Sequence, residues 1–211
     1  MRIMDCGQGE DIKISDAQLK ELADELRRGD LVVYPTETVY GIGANIYDEG
    51  AVKKVYLSKN RPFDMPLSVA VSDLAMMEEI AQLDDDAYRL AERFLPGPLT
   101  IIIKKRPDVP DIVTAMSQKV GIRIPDHPLA LRLIREFGPI VATSANKHSR
   151  PDAVRLEEAM GDLGDMVSTY VDCGTCALGK PSTIVWMMDG QIEIIRQGAI
   201  SREEIEAVLN E

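Results

Sequence analysis

Four polar stretches of this 211-residue chain hold the groups best able to bind or move charge. In YPTETVYGIGAN (34–45), Thr36 and Thr38 offer hydroxyls, and Gly41 and Gly43 let a ligand approach the backbone. A dinucleotide fingerprint would need a third glycine where Ile46 stands, so these residues alone read more plainly as a tight strand-to-helix connection. In SKNRPFDMPL (58–67), Lys59 and Arg61 close a helix, where cations complement the dipole. In VATSANKHSRP (141–151), a short apolar strand runs straight into Ser144 and Asn146. Ligands of open α/β sheets gather at such strand ends. A Ser/Asn pair there can bond phosphate oxygens while Lys59 and Arg61 supply charge.

The fourth stretch, GTCALGKPSTIV (174–185), imitates a phosphate-binding loop. Gly174, Gly179 and Lys180 fit G-x-x-x-x-G-K, yet Pro181 brings neither the hydroxyl that holds magnesium nor a backbone N–H. A β-branched run follows where that loop needs a helix, so Ser182 and Lys180 stay as candidates for another kind of binding. Arg123 alternates to the face opposite Val120, Ile122 and Ile124, and reads either as a surface residue or as a bidentate clamp for a carboxylate. Arg196 ends the last strand in the same way, and His127 reads as a helix-start histidine before it reads as a base. Cys173 and Cys176 form C-x-x-C, but Cys6, His127 and His148 lie far off in sequence as further ligands. Two small buried thiols are therefore the reading.

Alternating helices and strands must carry these groups. Ser15 and Gln18 form a capping box ahead of a helix that Gly29 ends. Apolar periodicity predicts strands in LVVYP, LSVAV, TIIIK, KVGIRIP, IVAT and MVSTYV, and helices near 49–58, 73–81, 84–94 and 128–138. The run Asp84 to Asp86 reads as a solvated helix start. TIVWM and QIEIIR form a hairpin turned at Asp189-Gly190, and Ser201 with Glu204 caps a last helix. This order predicts one α/β domain on a mixed sheet. With 45% hydrophobic and 28% charged residues the composition is that of an ordinary soluble domain. No apolar run approaches membrane-spanning length and no signal-peptide core is present, so a cytoplasmic location is expected. The net charge of −11 excludes a general nucleic-acid coat, and any phosphate site must be a local basic patch.

PTETVYGIGAN, KNRPFDMPLSV, PGPLT, VGIRIPDHP, TSAN, GKPSTIV and IIRQGAI, in this order and spacing, resemble the YrdC-like family. Within it the chain looks like the L-threonylcarbamoyladenylate synthases over about Asp16 to Ile200. The resemblance implies an N-terminal segment, 1–14, and a YrdC-like domain, 15–211, of the short form. It implies a twisted mixed or mostly antiparallel sheet with flanking helices around a basic concave cleft. The implied reaction joins L-threonine, bicarbonate or CO2, and ATP into threonylcarbamoyl-adenylate with release of pyrophosphate, a nucleotidyltransferase step. A threonylcarbamoyl-transferase partner then serves threonylcarbamoyl-adenosine modification of tRNA.

Residue by residue, the resemblance implies that Lys59, Arg61, Lys119, Ser144, Asn146 and Arg196 bind ATP, with Mg2+ bridging its phosphates and Lys59 and Arg61 as the catalytic cations. It implies that Thr38, Arg123 and Ser182 bind threonine, with Arg123 on the carboxylate so that the amine is free to become a carbamate. It implies no protein ligand for the metal, and names no general base. Met65 and Ala70 stand where the family commonly has Asn and His, and Asp152 where it often has Ser. These departures leave two alternatives: a paralogue adenylating another substrate, and a double-stranded-RNA or tRNA-binding module of the same fold.

Overall fold

Helices in this protein begin where the sequence places a side-chain acceptor ahead of them. Ser15 accepts from Gln18 N, and the Gln18 side chain answers to the Ser15 backbone, starting α1 (Asp16–Arg27). Asp48, Asp73 and Asp84 cap α2 (Glu49–Ser58), α3 (Leu74–Ile80) and α4 (Asp85–Phe94) by the same chemistry. α5 (Pro128–Phe137) starts on a proline behind His127 and stops at Gly138. α6 (Leu156–Leu163) is an element the sequence reading did not anticipate, and α7 (Arg202–Leu209) follows the Ser201–Glu204 capping box. These assignments come from a computed structural model that describes residues 1–7, 13–188 and 191–210. The expected Asp189-Gly190 turn lies outside the described residues.

The strands are β1 (Arg2–Asp5), β2 (Val32–Tyr34), β3 (Gly41–Gly43), β4 (Ser68–Ala70), β5 (Ala81–Gln82), β6 (Leu99–Lys105), β7 (Lys119–Arg123), β8 (Ile140–Ser144), β9 (Thr169–Asp172), β10 (Thr183–Met188) and β11 (Gln191–Arg196). They form one sheet in the order β1-β9-β2-β3-β8-β4-β7-β6-β10-β11, with β5 on β6. β1–β9, β9–β2, β4–β7 and β6–β10 are parallel, and the other pairs are antiparallel. The sheet is therefore mixed, as the sequence predicts. β1, within the expected N-terminal segment, belongs to the same sheet, pairing Arg2 with Thr169 and Asp5 with Asp172.

Two apolar clusters hold the helices against the strands. α1 and α5 bury Leu22, Leu26, Leu129 and Leu133 against Val32, Ile140 and Val171. The larger cluster joins α2, α3, α4, α6 and α7 to the rest of the sheet through Val55, Met77, Leu90, Leu163 and Ile205. Burial along β6 shows which face the larger cluster uses. Leu99, Ile101 and Ile103 point into the core, whereas Thr100, Ile102 and Lys104 alternate onto the opposite face.

The chain leaving β11 closes over the chain entering β10. Gly198 donates its N–H to Thr183 Oγ1 at 3.0 Å, and a Cβ at this position would lie 2.4 Å from Pro181 O, Ser182 C and Thr183 N. Those neighbours are backbone and cannot rotate away. Gly198→Ala should therefore destabilise the protein by roughly 1–3 kcal/mol, read as a lower urea midpoint at unchanged m-value.

Candidate active site

The site is built where β8 ends beside the end of α2. α2 stops at Lys59, Asn60 turns into the left-handed region (φ 49°), and Arg61 N returns to Tyr56 O at 2.9 Å. That turn sends the Lys59 and Arg61 side chains in different directions. Lys59, 2% exposed, runs inward, and its Nζ donates to Ser144 O, to Asn146 O at 2.6 Å and to Asn146 Oδ1 at 3.2 Å. His148 N returns a bond to Lys59 O at 2.6 Å. Burial first, and the neighbouring charge of Arg61 second, hold the Lys59 ammonium down to about 8.

Arg61 turns the other way, onto the wall of a cavity of about 180 Å³. Arg123, from the end of β7, and Arg196, from the end of β11, line the same space. All three guanidinium groups are held by one edge. Arg61 Nε and Nη2 donate to Met65 O (3.2 Å) and Pro66 O (2.8 Å). Arg196 Nε and Nη2 donate to Ser182 O at 3.2 and 2.9 Å. Arg123 Nε donates to Gly97 O at 3.3 Å, and its Nη2 lies 2.7 Å from Glu37 Oε1 in an ion pair whose side chains are each 11% exposed. This last contact is ionic without hydrogen-bond alignment. In each arginine Nη1 has no protein hydrogen-bond partner among the described residues, and in Arg123 Nη2 has none either.

Hydroxyl groups complete the lining. Ser182 Oγ lies 2.8 Å from Thr100 Oγ1 and receives Arg196 Nη2 at 3.2 Å. Ser144 Oγ donates to Asn146 Oδ1, and Asn146 Nδ2 to Arg150 O at 2.6 Å. Thr36 Oγ1 donates to Val39 O at 2.6 Å and lies 2.8 Å from Thr38 Oγ1. A second cavity, of about 210 Å³, shares Thr36 and is lined by Glu37, Asp126, His127 and both cysteines of the C-x-x-C pair. Burial holds the His127 imidazole down to about 4, so it is neutral near pH 7. Cys173 and Cys176 are buried free thiols, as expected.

Of the sequence-predicted residues, Arg61, Arg123, Ser144, Ser182 and Arg196 line the first cavity. Four do not. Thr38 is fully buried, and Thr36 beside it lines the cavity with its Oγ1 bonded back to its own loop. Lys59 and Asn146 lie beneath the wall and bond to its backbone and to Ser144. Lys119 stands away from it, its Nζ 4.5 Å over the ring of Trp186. Tyr34, Ser68, Thr100 and Ala142 line the cavity but escaped the sequence reading, because each sits inside an apolar strand whose pairing alone reveals its neighbours. Of the departures, Ala70 lines the cavity, while Met65 is on the surface with its carbonyl taken by Arg61 and by Tyr56 Oη (3.1 Å). Asp152 exerts its charge on both Lys59 and Arg196.

A family model, Sua5_yciO_yrdC, described as telomere recombination, matches residues 24–198. The chain is 41% identical over 203 residues to a threonylcarbamoyl-AMP synthase of Bacillus subtilis, covering 95% of this chain and 59% of that protein. It is 41% identical over 189 residues to a putative threonylcarbamoyl-AMP synthase of Methanocaldococcus jannaschii, covering 89% and 88%. The structure of Sua5 from P. abyssi complexed with L-threonine superposes with a TM-score of 0.93 at 34% identity, covering 99% of this chain and 61% of that one. This chain thus spans about three fifths of the Bacillus and Pyrococcus proteins it matches. It belongs to the Sua5/YciO/YrdC family.

The buried ammonium makes a signed prediction. Its folded pKa lies below the unfolded value, so the unfolded chain binds the extra proton between about pH 8 and 10.5. The cost of burying that charge is full below pH 8 and is relieved as pH rises through this window. Relative to Lys59→Met, the wild type should gain stability from pH 8 to 10.5, by about 3 kcal/mol at most. Urea unfolding of both proteins at pH 7, 8.5 and 10 measures it, and parallel curves would refute it.

Proposed function

We propose that this chain condenses L-threonine, bicarbonate or CO2, and ATP to threonylcarbamoyl-adenylate, releasing pyrophosphate. The observation that carries this reading is that three arginines, Arg61, Arg123 and Arg196, line one cavity with Ser144 and Ser182 on its wall. Relatives named threonylcarbamoyl-AMP synthase, and a similar structure holding L-threonine, support it. The product would be consumed by a transferase that passes the threonylcarbamoyl group to tRNA. Among the described residues no helix is long and apolar enough to cross a membrane.

In this reading Arg123 takes the threonine carboxylate, with Ser182 as a hydroxyl partner. The amine loses a proton and joins CO2 as a carbamate. One carbamate oxygen then attacks the α-phosphorus of ATP as the bond to pyrophosphate breaks. Arg61 and Arg196 face the charge that spreads over the phosphates, and they are oriented before substrate arrives. Ser144 bonds phosphate oxygen. Lys59 acts from beneath, fixing the turn that presents Ser144, so its contribution is positioning rather than contact.

Magnesium would enter on the ATP phosphates, since among the described residues no three His, Cys, Asp or Glu side chains are placed to hold a metal ion. When bound, the ion offsets negative charge on the phosphates.

Pyrophosphate release from ATP and bicarbonate, with and without L-threonine, tests the function. Release should depend on threonine and fall at least a hundred-fold in Arg61→Ala. Arg123→Lys should instead raise KM for L-threonine while leaving KM for ATP within two-fold. Release that ignores threonine in the wild type would overturn the reading.

A further inference from the structure

Four tyrosines are fully buried, and three of them donate their hydroxyl proton to a backbone carbonyl. Tyr40 Oη donates to Gly174 O at 2.7 Å, Tyr170 Oη to Gly164 O at 2.7 Å, and Tyr56 Oη bonds Met65 O and Ile112 O at 3.1 Å. Tyr34 is the exception. It is 1% exposed, yet its hydroxyl has no hydrogen-bond partner among the described residues, and it lines the first cavity. Buried polar groups are paired almost without exception, so a phenol left without a protein partner against a cavity points to a ligand.

The strand register explains how the hydroxyl reaches that wall. Tyr34 pairs with Gly41, and Gly41 with Ser144, so the three share one row on one face of the sheet. A Cβ on Gly41 would lie 3.1 Å from Tyr34 Cζ and 3.3 Å from its Oη, and one on Gly43 would lie 3.2 Å from Cε1. The ring therefore rests on the bare backbone of β3. The room these two glycines leave is taken by Tyr34 and not by a ligand. The ring also belongs to the apolar cluster under α1 and α5, which fixes the oxygen in place. Burial pushes the phenol up from its ordinary value, against the pull of Arg123 and with the push of Glu37, so the group stays a neutral O–H donor.

We propose that Tyr34 Oη is a substrate-binding hydroxyl, donating a hydrogen bond to the carboxylate of the amino-acid substrate that Arg123 holds. The inference rests on the reading that Arg123 takes that carboxylate. Arg123 meets it with its charge already offset by Glu37, 2.7 Å away. A carboxylate arriving there needs a further donor to balance the water it gives up. A phenol supplies one without adding charge, and a hydrogen bond to a charged group contributes more than one between neutral groups. Ser182 Oγ, by contrast, is already engaged with Thr100 Oγ1 and Arg196 Nη2.

Tyr34→Phe removes one oxygen and keeps the ring on its glycines. In calorimetric titrations it should weaken L-threonine about ten-fold and leave MgATP within about two-fold of wild type, with the two KM values following the same split. Thermal unfolding of the free protein separates this from a structural role. Tyr34→Phe breaks no hydrogen bond among the described residues, so its midpoint should stay within about 1 °C of wild type. Tyr170→Phe, which breaks the bond to Gly164 O, should lower the midpoint by roughly 2–4 °C and leave L-threonine affinity unchanged. L-valine as a competitor keeps the carboxylate and lacks the hydroxyl, so its inhibition constant should rise by the same factor as that for L-threonine binding.

Equal L-threonine affinity in wild type and Tyr34→Phe would overturn the contact while leaving the role of Arg123 standing. A midpoint that falls as it does in Tyr170→Phe would mark a structural hydroxyl and overturn it too. An L-valine constant that ignores the substitution would move the phenol to the substrate's own hydroxyl, against the carboxylate contact. A wild type that binds no L-threonine would overturn the reading of Arg123 itself.

Discussion

Lys59 leaves the end of α2 and carries its ammonium under the turn that follows β8, where the carbonyls of Ser144 and Asn146 receive it. An isolated buried ammonium would cost several kcal/mol, and its retention here makes sense only because its acceptors belong to one turn. The return bond from His148 N to Lys59 O closes that turn on the lysine's own backbone. A segment of polar chain with no helix or strand of its own thereby gains a single shape. Ser144 and Asn146 bond to one another only because both are anchored from below. The position of Arg61 follows from the same event, since the left-handed Asn60 separates the two cations.

The arginines illustrate a second economy of design. A guanidinium has five N–H donors in a rigid fork, and burying it asks that most of them be satisfied. Here backbone carbonyls take the Nε/Nη2 edge of Arg61 and Arg196, while in Arg123 Gly97 O takes Nε and Glu37 offers Nη2 an ion pair without a hydrogen bond. Rotamer freedom is lost during folding and not on binding, which is what preorganised stabilisation of charge requires. Arg123 differs in that its partner is a carboxylate. Its charge is already offset, while Arg61 and Arg196 have no carboxylate in an ion pair with them among the described residues.

Much of this was legible in the sequence wherever the signal was local. Ser15 and Gln18, Ser201 and Glu204, and the proline at the start of α5 mark helix ends by chemistry that needs no tertiary contact. Strands with a full apolar run, such as β6 and β10, were equally plain. β3 was not, because Gly41–Gly43 has the composition of a turn and is a strand only by pairing with Val32–Tyr34 and with β8. At the site, the motif residues Arg61, Arg123, Ser144, Ser182 and Arg196 stood at element ends, where a polar residue after an apolar run is conspicuous. Thr38 and Thr36 could not be ranked by spacing: both are hydroxyls in one loop, and only the folded loop buries Thr38 fully while Thr36 reaches the cavity wall. Thr100 and Ser68 stayed hidden for a related reason, since strand alternation says that they face away from the core but not what they face.

The strand order has a consequence for how the chain reaches this state. β9 lies between β1 and β2, so residues near the beginning of the chain wait on residues about 140 to 170 positions later. A chain emerging from its N-terminus would hold β1 and β2 without the strand that joins them. Their edges, and the apolar faces of Leu22 and Leu26 on α1, would stay open until β9 is made. The arginine convergence shares this dependence, because Arg61 is present early while Ser182 and Arg196 come last. Assembly of the site thus waits on the C-terminal strands, and the completed sheet is what a partly made chain lacks.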